Sequence, residues 1–432
     1  NSSGSTGGSG IMIQADGVLK RIMQDDGSLD RARQQAIFQS VPGEMQSPSL
    51  CRKVSLTRLE KLIAENQGRT TAEMQNLAGL IRIENVFIYP ETGDIVIAGP
   101  AEGWTLGRDN AIVGMRSQRP TLQLDDLVAA LRAFPPNGKA TQVIGCSIDP
   151  TDEGLRNMQT YLHKARKPNL LDQRQLAFYA DGIRNSLGLQ NVQIWGVSPK
   201  THFAGTMVAA DYRMKLIGIG LEKTPVRMIT YIDKSNPLSV SSNALVRWFF
   251  QPDYQCVVLT EDHLGMKIVG ESVQLVGENE VVTSEGKRIA NASHGNRATK
   301  MYARSFTDKY PQIAKKVPVY ASLRNLIDMS VVAAYLQKEK VYDKVHWTMD
   351  FFGSEEKFPI ELGNEIRQAD TAVQILHHKQ GQLVSFPTGG GVMINPQTAL
   401  EKENIQYEKK EEISSLRSGA MKNIPADRWW WD

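Results

Sequence analysis

An excess of charge of either sign is missing from this chain. Its 432 residues carry 50 Lys and Arg against 47 Asp and Glu, a net charge of +3. So small an imbalance sets up no long-range field to draw in nucleic acid or an anionic membrane. Nucleic acid is therefore not expected as a partner. No run of about 18 apolar residues occurs, so no transmembrane helix is expected. No basic-then-apolar leader is visible. The chain starts at Asn1 without methionine, as a processed or truncated start would.

Cysteine is scarce. Cys51, Cys146 and Cys256 include no Cys-x-x-Cys pair, which argues against a zinc site. In "QVIGCSI" the alternation puts Ile144, Cys146 and Ile148 on one face, and Cys256 lies in the apolar run "YQCVVL". Two readings stand. The first makes both residues small buried hydrophobes. The second is a Cys146–Cys256 disulfide, which an exported chain would keep. Cys51 sits in a loop after Pro48 and stays free. Histidine is sparse as well, with seven in the chain. His377 and His378 are adjacent and point apart, so they do not form a metal pair. His263 reads as a turn residue and His163 as solvated helix surface. His202 could act as a base toward Cys146, though nothing in the sequence places the two together.

A chain of this length divides into several packed subdomains. Residues 1–10 are a Ser/Gly linker. Residues 11–140 form an N-terminal α/β region with a hairpin, and 141–240 an alternating α/β region. Residues 241–345 combine antiparallel strands with buried helices. Residues 346–432 are a C-terminal β region with an aromatic tail. The expected fold is mixed α/β and α+β, with no recognisable enzyme superfold.

Turn and cap signals fill in this outline. Asp16-Gly17 separates two short strands, and Ser28 caps a short helix. Ser55 opens a helix, and Thr70 with Glu73 have the spacing of a capping box for another. "NVFIYP" and "DIVIAGP" form a hairpin whose tip residues Glu91 and Asp94 are expected in solvent. "TLQLDDLVAALRAF" is a helix stopped by Pro135 and Pro136. "PVRMITYI" is expected as a strand, and 401–412 as a charged helix. "VYASLRNLIDMSVVAAYL" is apolar on both sides and should be a deeply buried helix.

Few constellations suggest chemistry. "FPTGGGVMI" has three glycines, but no Lys-Ser or Lys-Thr follows them. The run reads as a strand in close contact with its neighbours. Asp211 and Lys215 can pair across one helix turn. Asp211 and Arg213 would then be ordinary surface or a contact to a neighbouring subunit. Trp429, Trp430 and Trp431 have three readings: a frayed tail, an anchor on another subunit or domain, or a membrane-interface contact. No catalytic residue, metal ligand or cofactor is expected.

The stretches "MQNLAGLIRIENVFIYPETGDIVIAGPAEGW", "CSIDPTDEGL", "THFAGTMVAADYRMKLIGIGLE" and "YARSFTDKYPQIAKKVPVYASLRNLIDM" resemble a family of uncharacterised planctomycete proteins, a domain of unknown function. The resemblance covers most of residues 11–340, and residues beyond 340 match more loosely. It implies export to the cell envelope: the periplasm, the outer-membrane side or the cell surface. It supplies no activity and no catalytic residue. Cys51 departs from the charged or polar residue expected there, so it belongs to no shared disulfide.

The leading expectation is a non-enzymatic cell-envelope or secreted structural protein that assembles into a homo-oligomer. Trp429, Trp430, Trp431, Asp211 and Arg213 are its candidate interface residues. Its partners would be copies of itself and other envelope components. The alternatives are a secreted, hydrolase-like enzyme and a ligand-binding module.

Overall fold

A computed structural model describes residues 11–13, 17–21, 37, 40–107, 111–166, 168–169, 172–235, 244–282, 288–290, 297–361, 364–377, 383–385, 388–422, 424 and 428–432. The Ser/Gly linker, Asp16, the Ser28 cap and His378 lie outside these residues.

In chain order the strands of the two main sheets are β1 (Ile11–Ile13), β2 (Val18–Arg21), β3 (Ser49–Ser55), β4 (Asn85–Tyr89), β5 (Asp94–Ala101) and β6 (Ile144–Asp149). They continue with β7 (Gln190–Trp195), β8 (Ala244–Pro252), β9 (Val257–Leu259), β10 (Gly265–Ile268) and β11 (Val273–Val282). The last are β12 (Arg288–Ala290), β13 (Gln368–Ala369), β14 (Thr388–Ile394), β15 (Gln406–Tyr407) and β16 (Trp430–Trp431). The main helices are α1 (Leu56–Glu65), α2 (Leu124–Ala133), α3 (Asp152–Lys164), α4 (Gln173–Leu187) and α5 (His202–Gly218). They are followed by α6 (Arg297–Lys316), α7 (Pro318–Lys338) and α8 (Glu412–Ala420).

Two mixed sheets carry the architecture. The nine-stranded sheet runs β1-β2-β13-β7-β6-β14-β8-β11-β12, and the seven-stranded sheet runs β15-β9-β10-β4-β5-β3-β16. The fold is mixed α/β, as expected. The four regions read from the sequence interleave within these sheets. The nine-stranded sheet takes strands from all of them, and β14 sits between β6 and β8, more than 130 residues earlier in the chain.

Helix α7 is the centre of the core. Leu323, Leu326, Ile327 and Val331 on one side, and Met329, Val332 and Leu336 on the other, are all buried. Helices α5, α6 and α7 pack together beside the nine-stranded sheet. Trp248 and Phe250 of β8 meet Tyr302 and Phe306 of α6 edge to face, with ring centroids 5.1 and 5.5 Å apart. Such geometry adds to the burial energy of aromatic pairs. Local signals set the helix starts. The Ser55 hydroxyl accepts from the Arg58 amide, and Thr151 accepts from Gly154. The 230s differ from expectation: "PVRMITYI" ends in a helical turn, Tyr231–Lys234, closed by a Thr230–Asp233 capping box. The helix expected after Thr70 breaks into Ala72–Gln75 and a 3₁₀ turn, Leu77–Gly79. Thr71 makes no side-chain cap, and Leu77 and Ala78 take positive φ. The charged helix expected over 401–412 is instead a turn and the short β15, with α8 starting at Glu412.

The β4–β5 hairpin forms as expected and Glu91 is exposed, but Asp94 is not in solvent. Asp94 is 1% exposed and accepts hydrogen bonds from Ser55 Oγ at 2.6 Å, Thr92 Oγ1 at 2.7 Å and Arg58 Nε at 2.8 Å. Burial acts to raise its pKa, but the bonds from Arg58, Ser55 and Thr92 outweigh it and hold the carboxyl below its ordinary value.

Candidate functional site

Alternation divides the side chains of the nine-stranded sheet between two faces. Ile144, Cys146 and Ile148 of β6, with Trp248 and Phe250 of β8, are buried on the face toward α5 and α6. The intervening residues point the other way. The register sets Gly145 opposite both Trp195 and Met393, and Ser147 opposite both Gln193 and Gly391. It sets Gly391 beside Phe249 and Gly389 beside Arg247. The two middle strands therefore present Gly145, Ser147 and Asp149 of β6, and Gly389, Gly391 and Met393 of β14, to this face. The flanking strands, β7 and β8, present Trp195, Gln193, Arg247 and Phe249. The result is a trough floored by backbone, with a volume of about 470 Å³.

The glycine run is the structural cause of the trough. A Cβ at Gly391 would lie 1.8 Å from the Cys146 carbonyl oxygen, and one at Gly390 would lie 2.0 Å from that of Trp248. Gly390 also has φ +104°, a conformation open to glycine and few others. The strand reading of "TGGGVMI" therefore holds, and no helix follows that could cradle phosphate. Across the sheet, the indole edge of Trp195 lies over Gly145, with Nε1 2.8 Å from where a Cβ would be.

Charges bracket the glycine strand on both faces. On the trough side, Arg247 Nη2 donates to Asp149 Oδ2 at 3.3 Å, and the Arg247 guanidinium lies 4.9 Å from the Phe249 ring centroid. The Gly390 amide donates to Asp149 Oδ1 at 3.3 Å. On the helix side, Lys215 Nζ donates to the carbonyls of Gly390 and Ile148, both at 3.0 Å, and to Asp211 Oδ2 at 2.8 Å. Burial pushes the Asp211 pKa up to about 6 against the attraction of Lys215. Gly390 is thus fixed through its amide from one face and its carbonyl from the other.

Several nominated residues lie elsewhere than expected. Asp211 and Arg213 are not surface residues. Asp211 is fully buried with Lys215, and Arg213 is buried against Glu222 at 2.7 Å. The tryptophan tail folds onto its own chain. Trp430 and Trp431 form β16, which pairs with Val54 and Lys53 of β3. The Ser55 amide donates to the Trp429 carbonyl, and Trp431 Nε1 donates to that of Ala420. Arg52 and Arg428 place their guanidinium groups 5.0 and 4.7 Å from the Trp430 ring centroid. All three indoles are buried against their own chain.

The three cysteines are free. Cys146 belongs to the nine-stranded sheet, and Cys256 directly precedes β9 of the seven-stranded sheet, so the Cys146–Cys256 bond is not made. Both are buried small side chains. Burial raises the Cys146 thiol well above its ordinary pKa and pushes Cys256 up to about 12. His202 Nδ1 lies 2.9 Å from Asp126, whose charge raises the imidazole pKa, so His202 is engaged by a carboxylate and forms no pair with Cys146. His263 is held by Glu339 at 2.9 Å, and His377 lies in the strand Ile375–His377.

A second depression, of about 370 Å³, lies beside Arg132, Ser198 and Glu361. Its polar groups brace local structure. Arg132 donates to the carbonyls of Phe352, Ser354 and Phe358 and pairs with Glu355, while Ser198 Oγ donates to Glu361 at 2.7 Å. Among the described residues, no group of three His, Cys, Asp or Glu is placed to hold a metal ion. Among them, too, no helix is long and apolar enough to cross a membrane.

The class is therefore a mixed α/β protein with a helix-backed sheet whose other face carries a glycine-floored trough. Residues 146–231 contain a domain of the family described as protein of unknown function, DUF1598. No curated protein and no solved structure matches the chain. The matched segment supplies Ser147, Asp149, Gln193 and Trp195 to the trough, and Asp211 and Lys215 to the pair beneath it. Sequence reasoning missed Trp195, Gln193, Asp149 and Arg247. One signal was available: Ile148 and Ile194 face inward by alternation, so Asp149, Gln193 and Trp195 must face out.

Proposed function

We propose that this chain is a non-enzymatic ligand-binding protein exported to the cell envelope of a planctomycete bacterium, with the trough of the nine-stranded sheet as its binding site. One observation carries the reading. An aromatic side chain, a paired charge and carboxamides converge on a floor kept bare by glycine, whereas the nominated self-assembly residues are engaged inside the chain. Concave sites with an apolar wall and a few convergent polar groups are the usual places for small ligands. Export is the part of the proposal that rests on the resemblance to uncharacterised planctomycete proteins, which implies it. Fractionation of source cells tests it: recovery in the envelope or the medium is expected, and recovery in the cytosol contradicts it.

The binding claim is tested by a thermal-shift screen of nucleotides, amino acids, peptides and saccharides against the wild-type chain and Trp195→Ala. At least one class should raise the melting temperature of the wild type and leave that of the variant unchanged. A screen in which every stabilising compound acts equally on both proteins refutes the site.

A further inference from the structure

We infer that the ligand of the trough is a neutral, hydroxyl-rich saccharide chain. The inference rests on the trough being the binding site and follows from which other ligand classes its side chains disfavour. An anionic ligand would need free positive charge. The cation on this face is Arg247, which is paired with Asp149 and stands directly across the β8–β11 ladder from Glu278. A phosphate or acidic peptide would meet two carboxylates for one guanidinium. A cation would find Asp149 already accepting from Arg247 and from the Gly390 amide, which leaves Glu278, a single exposed and hydrated carboxylate that holds a cation only weakly. An extended peptide adding as a strand needs an open sheet edge. The floor strands β6 and β14 are paired on both sides, so no edge is offered. A wholly apolar ligand would desolvate Ser147, Asp149 and Gln193 without giving a hydrogen bond in return.

What remains is a neutral ligand with an apolar ring face and a rim of hydroxyls. The trough offers complementary groups for both. Trp195 is half-buried, with its inner edge laid over Gly145, so an indole surface stands at the wall on a rigid base. An aromatic surface of this kind covers apolar ring faces at little cost in conformational entropy. The exposed Gln193, with Gln251 and Ser147, supplies carboxamide and hydroxyl groups that both donate and accept, as ring hydroxyls require. The dimensions favour a chain over a single small molecule. Between β7 and β8 lie three strand spacings, about 14 Å, floored by Ser147 and Gly391 between the Trp195 indole over Gly145 and the Arg247–Asp149 pair over Gly389.

The experiment is a titration of the full chain with neutral oligosaccharides: cello-, xylo-, chito- and malto-hexaose. It is read by isothermal calorimetry and tryptophan fluorescence. Glucose 6-phosphate, a nucleoside diphosphate and an acidic hexapeptide serve as comparison ligands. At least one neutral oligosaccharide should bind. Trp195→Ala and Gln193→Ala should each weaken that binding by about tenfold or more, the loss of one central contact. Gln193 is exposed, so its variant keeps the fold and the result remains interpretable if Trp195→Ala is unstable. Trp195-dependent binding of only a phosphorylated or peptide ligand overturns the saccharide assignment and leaves the trough as a binding site. Oligosaccharide binding that neither variant weakens, or no binding by any ligand, overturns both.

Discussion

Gly391→Ala adds one methyl group to a central strand, and the geometry around it sets a large cost. The new Cβ would lie 1.8 Å from the Cys146 carbonyl oxygen and 2.8 Å from the Ser147 α-carbon, both backbone atoms of β6. No rotamer can relieve a clash with backbone. Strand β14 must move away from β6 by more than 1 Å, which breaks ladder bonds worth about 1 kcal/mol each. Overpacking adds about 1–3 kcal/mol. The expected loss is about 4 kcal/mol, a large part of the stability of an ordinary domain. Gly205→Ala is the matched control. It is the same chemical change on α5, where a Cβ meets nothing within 4 Å. There the helix propensity of alanine should stabilise by about 0.5–1 kcal/mol. Urea denaturation followed by circular dichroism and by tryptophan fluorescence measures both. A Gly391→Ala protein within about 1 kcal/mol of wild type would refute the β6–β14 register and, with it, the floor of the trough.

Three further outcomes follow from the same contacts. Asp94→Asn should cost about 2–3 kcal/mol at neutral pH, because Arg58 loses its partner while remaining mostly buried. Since the native carboxyl is held below its ordinary pKa, its contribution is fully present above about pH 4 and is lost as pH falls through the native value. The variant's acid-denaturation curve should lack that component, and superimposable curves would contradict the pairing. Deleting residues 429–432 should destabilise by at least about 3 kcal/mol, through lost indole burial. It should leave the native mass by light scattering unchanged, whereas a change in mass at constant stability would return the tail to an intersubunit role. Thiol titration should find Cys51, partly exposed with its pKa raised by burial, reacting slowly in the native protein, and Cys146 and Cys256 reacting only in denaturant. Fewer than three thiols in denaturant would reinstate a disulfide.

Much of the local structure was legible from the sequence. The β4–β5 hairpin followed from its turn residues, α7 from its two apolar sides, and the strand at 388–394 from the lack of a phosphate-loop lysine. Asp94 was misplaced because its partners, Ser55 and Arg58, arrive from a strand and helix some 40 residues earlier, and no local pattern records that meeting. Asp211 and Arg213 show the same difficulty. Charged residues at helical spacing signal surface, unless a lysine such as Lys215 is drawn beneath a sheet to meet main-chain carbonyls. The trough depends on β14 inserting between β6 and β8, and pairing at such separation leaves no mark in any single stretch. Composition left the tryptophan tail open between a frayed end, an anchor and a membrane contact, because its seat beside β3 is set by pairing with residues some 370 positions earlier.

The most direct test of the trough as a binding site is hydroxyl-radical footprinting with and without a bound oligosaccharide. Met393, 41% exposed on the trough face, and Trp195 should be oxidised in the free protein and protected in the complex. Phe178 and Met115, which are exposed outside the trough, should be oxidised equally in both. Protection at Phe178 or Met115, with Met393 and Trp195 unchanged, would contradict the account.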